Sequence, residues 1–182
     1  MAKSWRVSSF IAKKCQFVGD ERMISHVSLH NDEPIAASME LALAAAEKAW
    51  REHGDVPVGA LILDAEGVVI ATGVNQRELH HDPTAHAEIV AIRAAGMKLD
   101  SWRLDGCTLV VTLEPCAMCA GAILQSRLAR LVFGAWDEKA GAVGSVVDLL
   151  RDPRALSKVE VISGVLAERS SALLREFFAE SR

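Results

Sequence analysis

The stretch TLVVTLEPCAMCAGAILQS, residues 108–126, decides the fold because a buried strand runs directly into a helix. Its first six residues, Thr108–Leu113, form a continuous apolar run, which is typical of a strand buried on both faces. Pro115 ends this strand and opens a helix that carries Cys116 and Cys119. A strand that leads into a helix in this way indicates an α/β protein.

Hydrophobic periodicity predicts further elements on both sides of this stretch. The predicted helices are 35–54, 84–96, 116–126 and 165–180, and the predicted strands are 58–64, 68–75, 108–113, 130–135 and 159–163. Asp82 followed by Pro83 suits the N-cap and first position of the second helix. The order α-β-β-α-β-α-β-α-β-α, in which a fifth helix without an assigned range lies between the fourth and fifth strands, predicts a three-layer α/β/α fold around a five-stranded mixed sheet.

Length and composition predict one intracellular domain. The chain has 182 residues, 51% of them hydrophobic and 24% charged, which suits a single globular core. Residues 1–34 show no sustained periodicity and are interpreted as a flexible N-terminal extension, followed by a domain over 35–182. We see neither the roughly 18–20 apolar residues of a membrane span nor the apolar stretch of about 7–15 residues of a secretory signal. We therefore expect a cytoplasmic protein with no membrane partner.

The net charge of −4 is unevenly distributed along the chain. Residues 31–124 hold 6 Lys/Arg and 14 Asp/Glu, net −8, whereas residues 125–158 are net +2 and residues 1–30 net +3. A strongly basic domain is therefore excluded, although a local basic surface is compatible with these numbers. On charge alone, a polyanionic partner is disfavoured.

Cys116 and Cys119 have the spacing of metal ligands. Cysteines three residues apart lie on one face of a helix, and the first turn of a helix lowers a thiol pKa towards the thiolate that binds metal. In a reducing cytosol, such a pair favours metal binding or catalysis over a disulfide. The alternative interpretation is that both are small core residues.

His86 is the leading third ligand because it comes with Glu88 in the sequence HAE. On a helix, residues two apart diverge by about 200°, so the pair suits two different jobs, a metal ligand and an acid that reaches a bound water. The alternative is a core histidine beside a solvated glutamate. His80 and His81 are interpreted as loop residues.

The pattern favours a catalytic zinc site over a structural one. Histidine and two cysteines are good zinc ligands, and three protein ligands leave a fourth position for water. Cys107 is separated from Cys116 by six strand residues, which span roughly 20 Å, and is interpreted as a core thiol. Cys15 lies in the N-terminal extension.

H-x-E with P-C-x-x-C is the known signature of zinc nucleobase deaminases. In this chemistry, zinc activates water towards hydroxide, which adds to the ring carbon that bears the amino group. Glu88 would take the water proton, pass it to the adjacent ring nitrogen and help the amine to leave as ammonia.

Longer stretches resemble the bacterial-type tRNA-specific adenosine deaminases, which convert adenosine at the anticodon wobble position to inosine. The resemblance runs from about Met39 to Phe178, roughly three quarters of the chain. The matching stretches are VPVGA (56–60), GVN (73–75), HDPTAHAE (81–88), TLEPCAMCAGAI (112–123), SRLARLVFGA (126–135) and AGAVGS (140–145). The HAE and PCxxC pieces are shared with cytidine, deoxycytidylate, guanine and riboflavin-pathway deaminases, whereas the PTAHAE block and the FGA-x-D-x-K-x-G loop point to tRNA.

The resemblance implies a cytidine deaminase-like fold, one zinc per subunit and a homodimer whose active sites draw on both subunits. It implies Glu88 as the catalytic residue and His86, Cys116 and Cys119 as zinc ligands. It also implies contacts to the target nucleoside and to the anticodon loop. The expected substrate-binding residues are Asn75, Ala87 and Asp137, and the expected RNA contacts are Lys139, Phe177 and Phe178, with Arg151 and Arg154 as further phosphate-binding candidates. Trp136 and the N-terminal extension depart from the family pattern.

Two other functions stay open at this point. A guanine or cytosine deaminase of the same fold acts on a small neutral substrate and agrees better with the acidic net charge. A zinc-stapled structural or RNA-binding module is the non-enzymatic alternative. Glu88 discriminates against that module, because a structural zinc site has no use for a proton shuttle.

Overall fold

The computed structural model describes residues 32–155 and 157–180. The predicted extension therefore lies outside the described residues except for 32–34, which belong to the first helix. The helices are α1 Asp32–His53, α2 Arg77–His80, α3 Ala87–Leu99, α4 Ala117–Gln125 and α5 Ala167–Glu180. The strands are β1 Gly59–Leu63, β2 Val69–Val74, β3 Thr108–Leu113, β4 Arg130–Ala135 and β5 Glu160–Ile162.

The five strands form one mixed sheet in the order β2-β1-β3-β4-β5. Strand β1 is antiparallel to β2 and β3, whereas β3, β4 and β5 run parallel to one another. The registers pair Gly59 with Val74 and Leu113 with Ala135. The first residue of β1 and the last residues of β2, β3 and β4 therefore lie side by side at one end of the strands. This end of the sheet is hereafter called the upper edge.

Side chains that alternate along the strands build two apolar layers. In β1, Ala60 and Ile62 pack on the face covered by α3 and α4, whereas Leu61 and Leu63 pack on the face covered by α1 and α5. Strands β3 and β4 alternate in the same way, because successive side chains of a strand point to opposite faces. The predicted three-layer α/β/α fold and five-stranded mixed sheet are confirmed.

Helix α1 is the longest helix, with 22 residues. Met39, Ala42 and Ala46 are fully buried on its sheet side, whereas charged residues such as Lys48 and Glu52 are exposed. In the described part of the chain, no helix is both long enough and apolar enough to cross a membrane.

The predicted start of the second long helix is wrong. Asp82 and Pro83 do not open it: α3 begins at Ala87, and the four-residue α2 precedes it. The Asp82 Oδ1 atom accepts hydrogen bonds from the Thr84 backbone N–H at 2.8 Å and from the Thr84 hydroxyl at 2.7 Å. Asp82 therefore closes a local turn, a role that aspartate fills as readily as an N-cap.

The predicted helix between the fourth and fifth strands is absent from the described residues. The chain passes from β4 to β5 through an irregular segment, of which 136–155 and 157–159 are described. Two isolated bridges, Cys116 with Gly141 and Val143 with Asp148, take the place of regular structure. Most of its backbone hydrogen bonds are internal, but the N–H groups of Asp137, Val143 and Ser145 donate to the Glu114 carboxylate, and that of Ala142 donates to the Pro115 carbonyl oxygen.

Gly73 lets α3 lie very close to the sheet. A Cβ atom at Gly73 would lie 2.5 Å from the Ala91 backbone nitrogen and would also overlap the Ala87 carbonyl oxygen. Only glycine permits this approach, which fixes the first turn of α3 at the upper edge.

Candidate active site

A cavity of about 220 Å³ opens at the upper edge of the sheet, where α3 and α4 begin. Binding sites of open α/β sheets lie at the carboxyl ends of the strands in this way. The cavity is lined by Val56, Val58, Asn75, Arg77, His86, Ala87, Glu88, Leu113, Glu114, Cys116, Asp137 and Ala140. A larger cavity of about 390 Å³ at the opposite edge is lined by no histidine or cysteine.

His86, Cys116 and Cys119 form a compact group of metal donors. Their donor atoms all lie within 4.8 Å of one another, and no other such group occurs in residues 32–155 and 157–180. The His86 Nδ1 atom is 3.7 Å from the Cys116 sulfur and 3.6 Å from the Cys119 sulfur. Zn–S and Zn–N bonds of roughly 2.3 and 2.0–2.1 Å at a tetrahedral angle place sulfur and nitrogen about 3.6 Å apart. The donor set therefore fits zinc.

The two thiols differ in their protonation. Hydrogen bonds with Cys119 and His86 lower the pKa of Cys116 to about 3, although its burial acts in the opposite direction. For Cys119, the hydrogen bond to Cys116 and the burial of the thiol both raise the pKa. The contact with Cys116 also raises the pKa of His86. Cys116 is thus a thiolate at neutral pH, which is the form of cysteine that binds a metal.

The two cysteines differ from the predicted arrangement in one detail. Cys116 is the N-cap of α4, with an extended backbone, and Cys119 lies in the first turn. His86 is likewise the N-cap of α3, and its side chain makes no capping hydrogen bond to that helix. The Cys116 thiol interacts with Cys119 and His86, the other two donors, so the three side chains meet at the positive ends of two helices.

Glu88 lies in the first turn of α3 and is only 4% exposed. Burial raises the pKa of its carboxyl to about 6, against the opposing effects of its own backbone N–H, His86 and Cys119. A carboxyl with this pKa can both accept and donate a proton near neutral pH. Such a residue beside a metal site is a strong candidate for general acid–base catalysis.

His86 and Glu88 line the same cavity, as a metal ligand and an acid that acts on the bound water should. The sequence argument placed both on one helix, where residues two apart diverge, and expected the longer Glu88 side chain to reach around to the water. His86 instead has an extended backbone, with φ −71° and ψ 151°, and the helix begins only at Ala87. Ala87, an expected substrate-binding residue, is fully buried and also lines the cavity.

Asn75 follows β2 and lies at the wall of the cavity formed by α2. Its side-chain amide Nδ2 donates to the Asp55 carboxylate at 3.4 Å. Asp55 is 1% exposed and also accepts the backbone N–H groups of Glu78 at 3.0 Å and Leu79 at 3.1 Å. Asp55 therefore holds the first turn of α2 and orients the amide, which leaves the Asn75 carbonyl oxygen for the cavity.

Asp137 and Ala140 form the opposite wall of the cavity. The Asp137 side chain accepts the backbone N–H groups of Lys139 at 3.0 Å and Ala140 at 3.2 Å, so it stabilises its own turn. The Lys139 side chain is exposed next to this wall. Trp136, the departure from the family pattern, packs edge-on against Phe133 with 4.8 Å between ring centroids.

The other expected RNA contacts lie away from the cavity. Phe177 is 9% exposed and packs edge-on against Trp50, whereas Phe178 is 53% exposed, and both lie on α5 across the sheet. Arg151 pairs with Asp148, and Arg154 pairs with Asp152. Their contacts to RNA stay predictions.

Three cavity-related residues were missed by the sequence analysis: Asp55, Arg77 and Glu114. Arg77 is an exposed base at the cavity, and no local pattern marks it. Asp55 and Glu114 are buried acids that bind backbone groups far along the chain. The only local signal was their position, directly before VPVGA and directly before PCxxC.

Residues 32–135 match the model of the cytidine and deoxycytidylate deaminase zinc-binding region. The chain is 49% identical over 144 residues to the tRNA-specific adenosine deaminase of Haemophilus influenzae, which covers 79% of this chain and 83% of that protein.

Solved structures give the same result for the fold. One comes from work on A-to-I editing by tRNA:A34 deaminases at the wobble position of tRNA; it has a TM-score of 0.72 and 44% identity and covers 76% of this chain and 99% of that chain. The guanine deaminase of Nitrosomonas europaea has a TM-score of 0.64 and 30% identity and covers 85% of this chain and 87% of that chain.

Proposed function

The chain belongs to the cytidine and deoxycytidylate deaminase family, and we propose that it is a zinc-dependent tRNA adenosine deaminase. Its reaction converts the wobble adenosine of a tRNA anticodon and water into inosine and ammonia. The observation that carries the chemistry is the buried Glu88 carboxyl in one cavity with the His86, Cys116 and Cys119 donors. The substrate follows from the higher identity to tRNA adenosine deaminases than to guanine deaminase, 49% against 30%.

His86, Cys116 and Cys119 would hold the zinc ion. When bound there, zinc would lower the pKa of a water molecule towards neutrality and so would supply a nucleophile for the ring carbon that carries the amino group. His86 must be the neutral imidazole and at least one thiol the thiolate, so binding of zinc releases protons from the site.

Glu88 moves the protons of the reaction. Its carboxylate accepts a proton from the attacking water and delivers it to the adjacent ring nitrogen of adenine. The same carboxyl then passes the remaining proton of the added hydroxyl to the amino group, the C–N bond breaks, and ammonia leaves rather than an amide anion as the ring carbon becomes the carbonyl of inosine. The pKa of about 6 suits both directions of transfer.

Two walls of the cavity would orient the base between them. Asn75, whose amide is fixed by Asp55, presents an oxygen that accepts a hydrogen bond from the nucleoside. Asp137 and Ala140 close the other side along the path of the nucleotide. Arg77 and Lys139 are exposed, positively charged residues beside the cavity. They would contact phosphates of the anticodon loop despite the acidic net charge of the chain.

A homodimer is the assembly that we propose. Four large apolar side chains are exposed in α4 and the irregular segment next to it: Met118, Trp136, Val146 and Val147. An apolar surface beside an active site is typical of a subunit interface. Sedimentation velocity tests this: Val147→Asp should convert a dimer to a monomer, whereas Met97→Glu at the far end of α3 should not. A cytoplasmic location is compatible with a tRNA substrate and stays a prediction.

The substrate is tested with the zinc-loaded protein and three compounds. These are an anticodon stem-loop with a wobble adenosine, free guanine and free cytosine, and the products are inosine and ammonia. We expect inosine in the RNA and no ammonia from the free bases. Ammonia from guanine or cytosine alone would keep the chemistry but replace the substrate. No deamination of any of the three, with full zinc content, would favour the non-enzymatic module.

A further inference from the structure

Glu114 is a buried charge that the proposed chemistry does not use. Its side chain is 2% exposed, and both carboxylate oxygens are fully engaged. Oε1 accepts the backbone N–H groups of Val143 at 2.9 Å and Ser145 at 3.1 Å. Oε2 accepts the backbone N–H of Asp137 at 3.0 Å and the Ser145 hydroxyl. One side chain thus binds both ends of the segment 137–145, hereafter called the wall segment.

The wall segment is also joined to the residues that follow Glu114. The Pro115 carbonyl oxygen accepts the Ala142 backbone N–H at 2.8 Å, and Cys116 and Gly141 form an isolated antiparallel bridge. A Cβ atom at Gly141 would overlap the Glu114 carboxylate and lie 2.6 Å from the Asp137 carbonyl oxygen. The wall segment therefore lies directly against the start of α4, with no space between them.

We propose that Glu114 is a positioning residue for substrate binding, which holds the Asp137 and Ala140 side of the cavity at a fixed place beside the metal donors. The inference rests on the proposed function, since it assigns that wall to the bound nucleotide. The position of the wall depends on Glu114 because the wall segment contains no helix or long strand that would fix its own shape. Four hydrogen bonds to a charged acceptor supply that order instead.

This role separates binding from chemistry. Glu88 lies in α3 and His86 is its N-cap, and Gly73 fixes this helix against β2 independently of the wall segment. Loosening the wall should therefore weaken substrate binding while the proton path stays in place. An interaction made equally with bound substrate and transition state appears in KM rather than in kcat.

Glu114→Gln is the first test. A glutamine side chain has one carbonyl oxygen and one NH2 group, so at least one donor of the wall segment loses its acceptor. We expect KM for the anticodon stem-loop to rise at least about tenfold and kcat to stay within about threefold. Zinc content should stay at the wild-type value. Glu138→Gln removes the same charge from an exposed position of the same segment and should leave both constants within about twofold.

Gly141→Ala should displace the wall segment in a different way, because the added methyl group would overlap the Glu114 carboxylate and the Asp137 carbonyl oxygen. It leaves the charge of Glu114 intact. It should raise KM in the same way, and it carries the test if Glu114→Gln does not fold. Hydrogen exchange of the Val143 and Ser145 amides should accelerate in both variants. An unchanged KM in a folded variant with accelerated exchange would overturn the inference, as would a fall in kcat with unchanged KM.

The same experiment separates this inference from the proposed function. If the wild-type protein deaminates guanine and not RNA, the proposed function fails, and KM is then compared for guanine. A rise in that KM would keep Glu114 as a positioning residue. An unchanged KM for whichever substrate is deaminated would remove the assignment altogether.

Discussion

The start of α3 and the turn that precedes α4 each contain one buried glutamate, and the pKa values of the two carboxyls are shifted in opposite directions. Glu88 is 4% exposed, and burial raises its pKa to about 6. Glu114 is 2% exposed, and burial also acts to raise its pKa. Hydrogen bonds from Ser145, Asp137 and Val143 outweigh that effect, however, and the pKa of Glu114 is lowered from its ordinary value.

The difference shows that burial alone does not determine what a carboxyl group does. A carboxylate that accepts several fixed N–H donors stays an anion and acts as a structural acceptor. A buried carboxyl with few donors has a raised pKa and can therefore take up and release a proton near neutral pH. The same side chain therefore serves as a proton carrier at α3 and as an anchor before α4.

The largest effect is expected from removing a zinc ligand, because the proton transfer proposed for Glu88 needs a water that the metal activates. Cys116→Ser and Cys119→Ser should each lose most of their zinc and at least about 10³-fold in deaminase activity, since a serine hydroxyl does not ionise at neutral pH. Atomic absorption measures the metal. Cys107→Ala, a change of the buried thiol at the other end of β3, should keep wild-type zinc; full zinc in either serine variant would contradict the ligand assignment.

Glu88→Gln removes the proposed proton-transfer group and leaves the hydrogen bonds of Glu114 intact. Glutamine fills the same volume but cannot take up a proton, so kcat should fall by about 10³-fold, within the usual range for general acid–base catalysis. Zinc content and KM for the stem-loop should stay close to the wild-type values. A kcat within about tenfold of wild type would show that another group moves the protons.

Asp55→Asn extends the comparison of Glu88 with Glu114 to a third buried acid. Like Glu114, Asp55 accepts backbone N–H groups, but it holds the wall of the cavity formed by Asn75 and α2. Loss of a charged acceptor for the Glu78 and Leu79 N–H groups should cost about 1–3 kcal/mol of stability and raise KM several-fold. Urea denaturation and steady-state kinetics measure the two effects. Asp64→Asn is the matched control, since Asp64 accepts two N–H groups, from Glu66 and Val68, far from the cavity. It should lower stability and leave KM unchanged.

The smallest effect is expected from Ser145→Ala, which removes one of the four donors to Glu114 and keeps the three backbone N–H groups. Stability should fall by about 1 kcal/mol, the usual value for one hydrogen bond, and KM should rise no more than about threefold. Thermal unfolding and stem-loop kinetics measure both. A KM as high as that of Glu114→Gln would mean that the hydroxyl alone positions the wall.

The sequence predicts those parts of the fold that local patterns determine. Strands β3 and β4 begin and end at the predicted residues, because buried parallel strands are continuous apolar runs. The start of α3 was misplaced, because Asp82 and Pro83 are compatible with both a turn and a helix start. Helix α2 was missed because it has four residues and its acceptor, Asp55, lies more than twenty residues away.

The candidate site divides in the same way. The donors and Glu88 were predicted because metal ligands and their acid have recognisable residue types and spacings. Asp55 and Glu114 were missed because a carboxylate that binds distant backbone N–H groups leaves no periodic trace in the sequence. The irregular wall segment could not be predicted for the same reason, since its order comes from Glu114 and not from its own residues.

The most direct test of the two roles is the single-turnover rate of inosine formation in a wobble-adenosine stem-loop as the concentration of enzyme in excess is raised. At saturation, binding no longer limits the reaction, so Glu114→Gln should approach the wild-type rate. Glu88→Gln should remain about 10³-fold slower at every concentration. The account is contradicted if both variants recover at saturation, or if neither does.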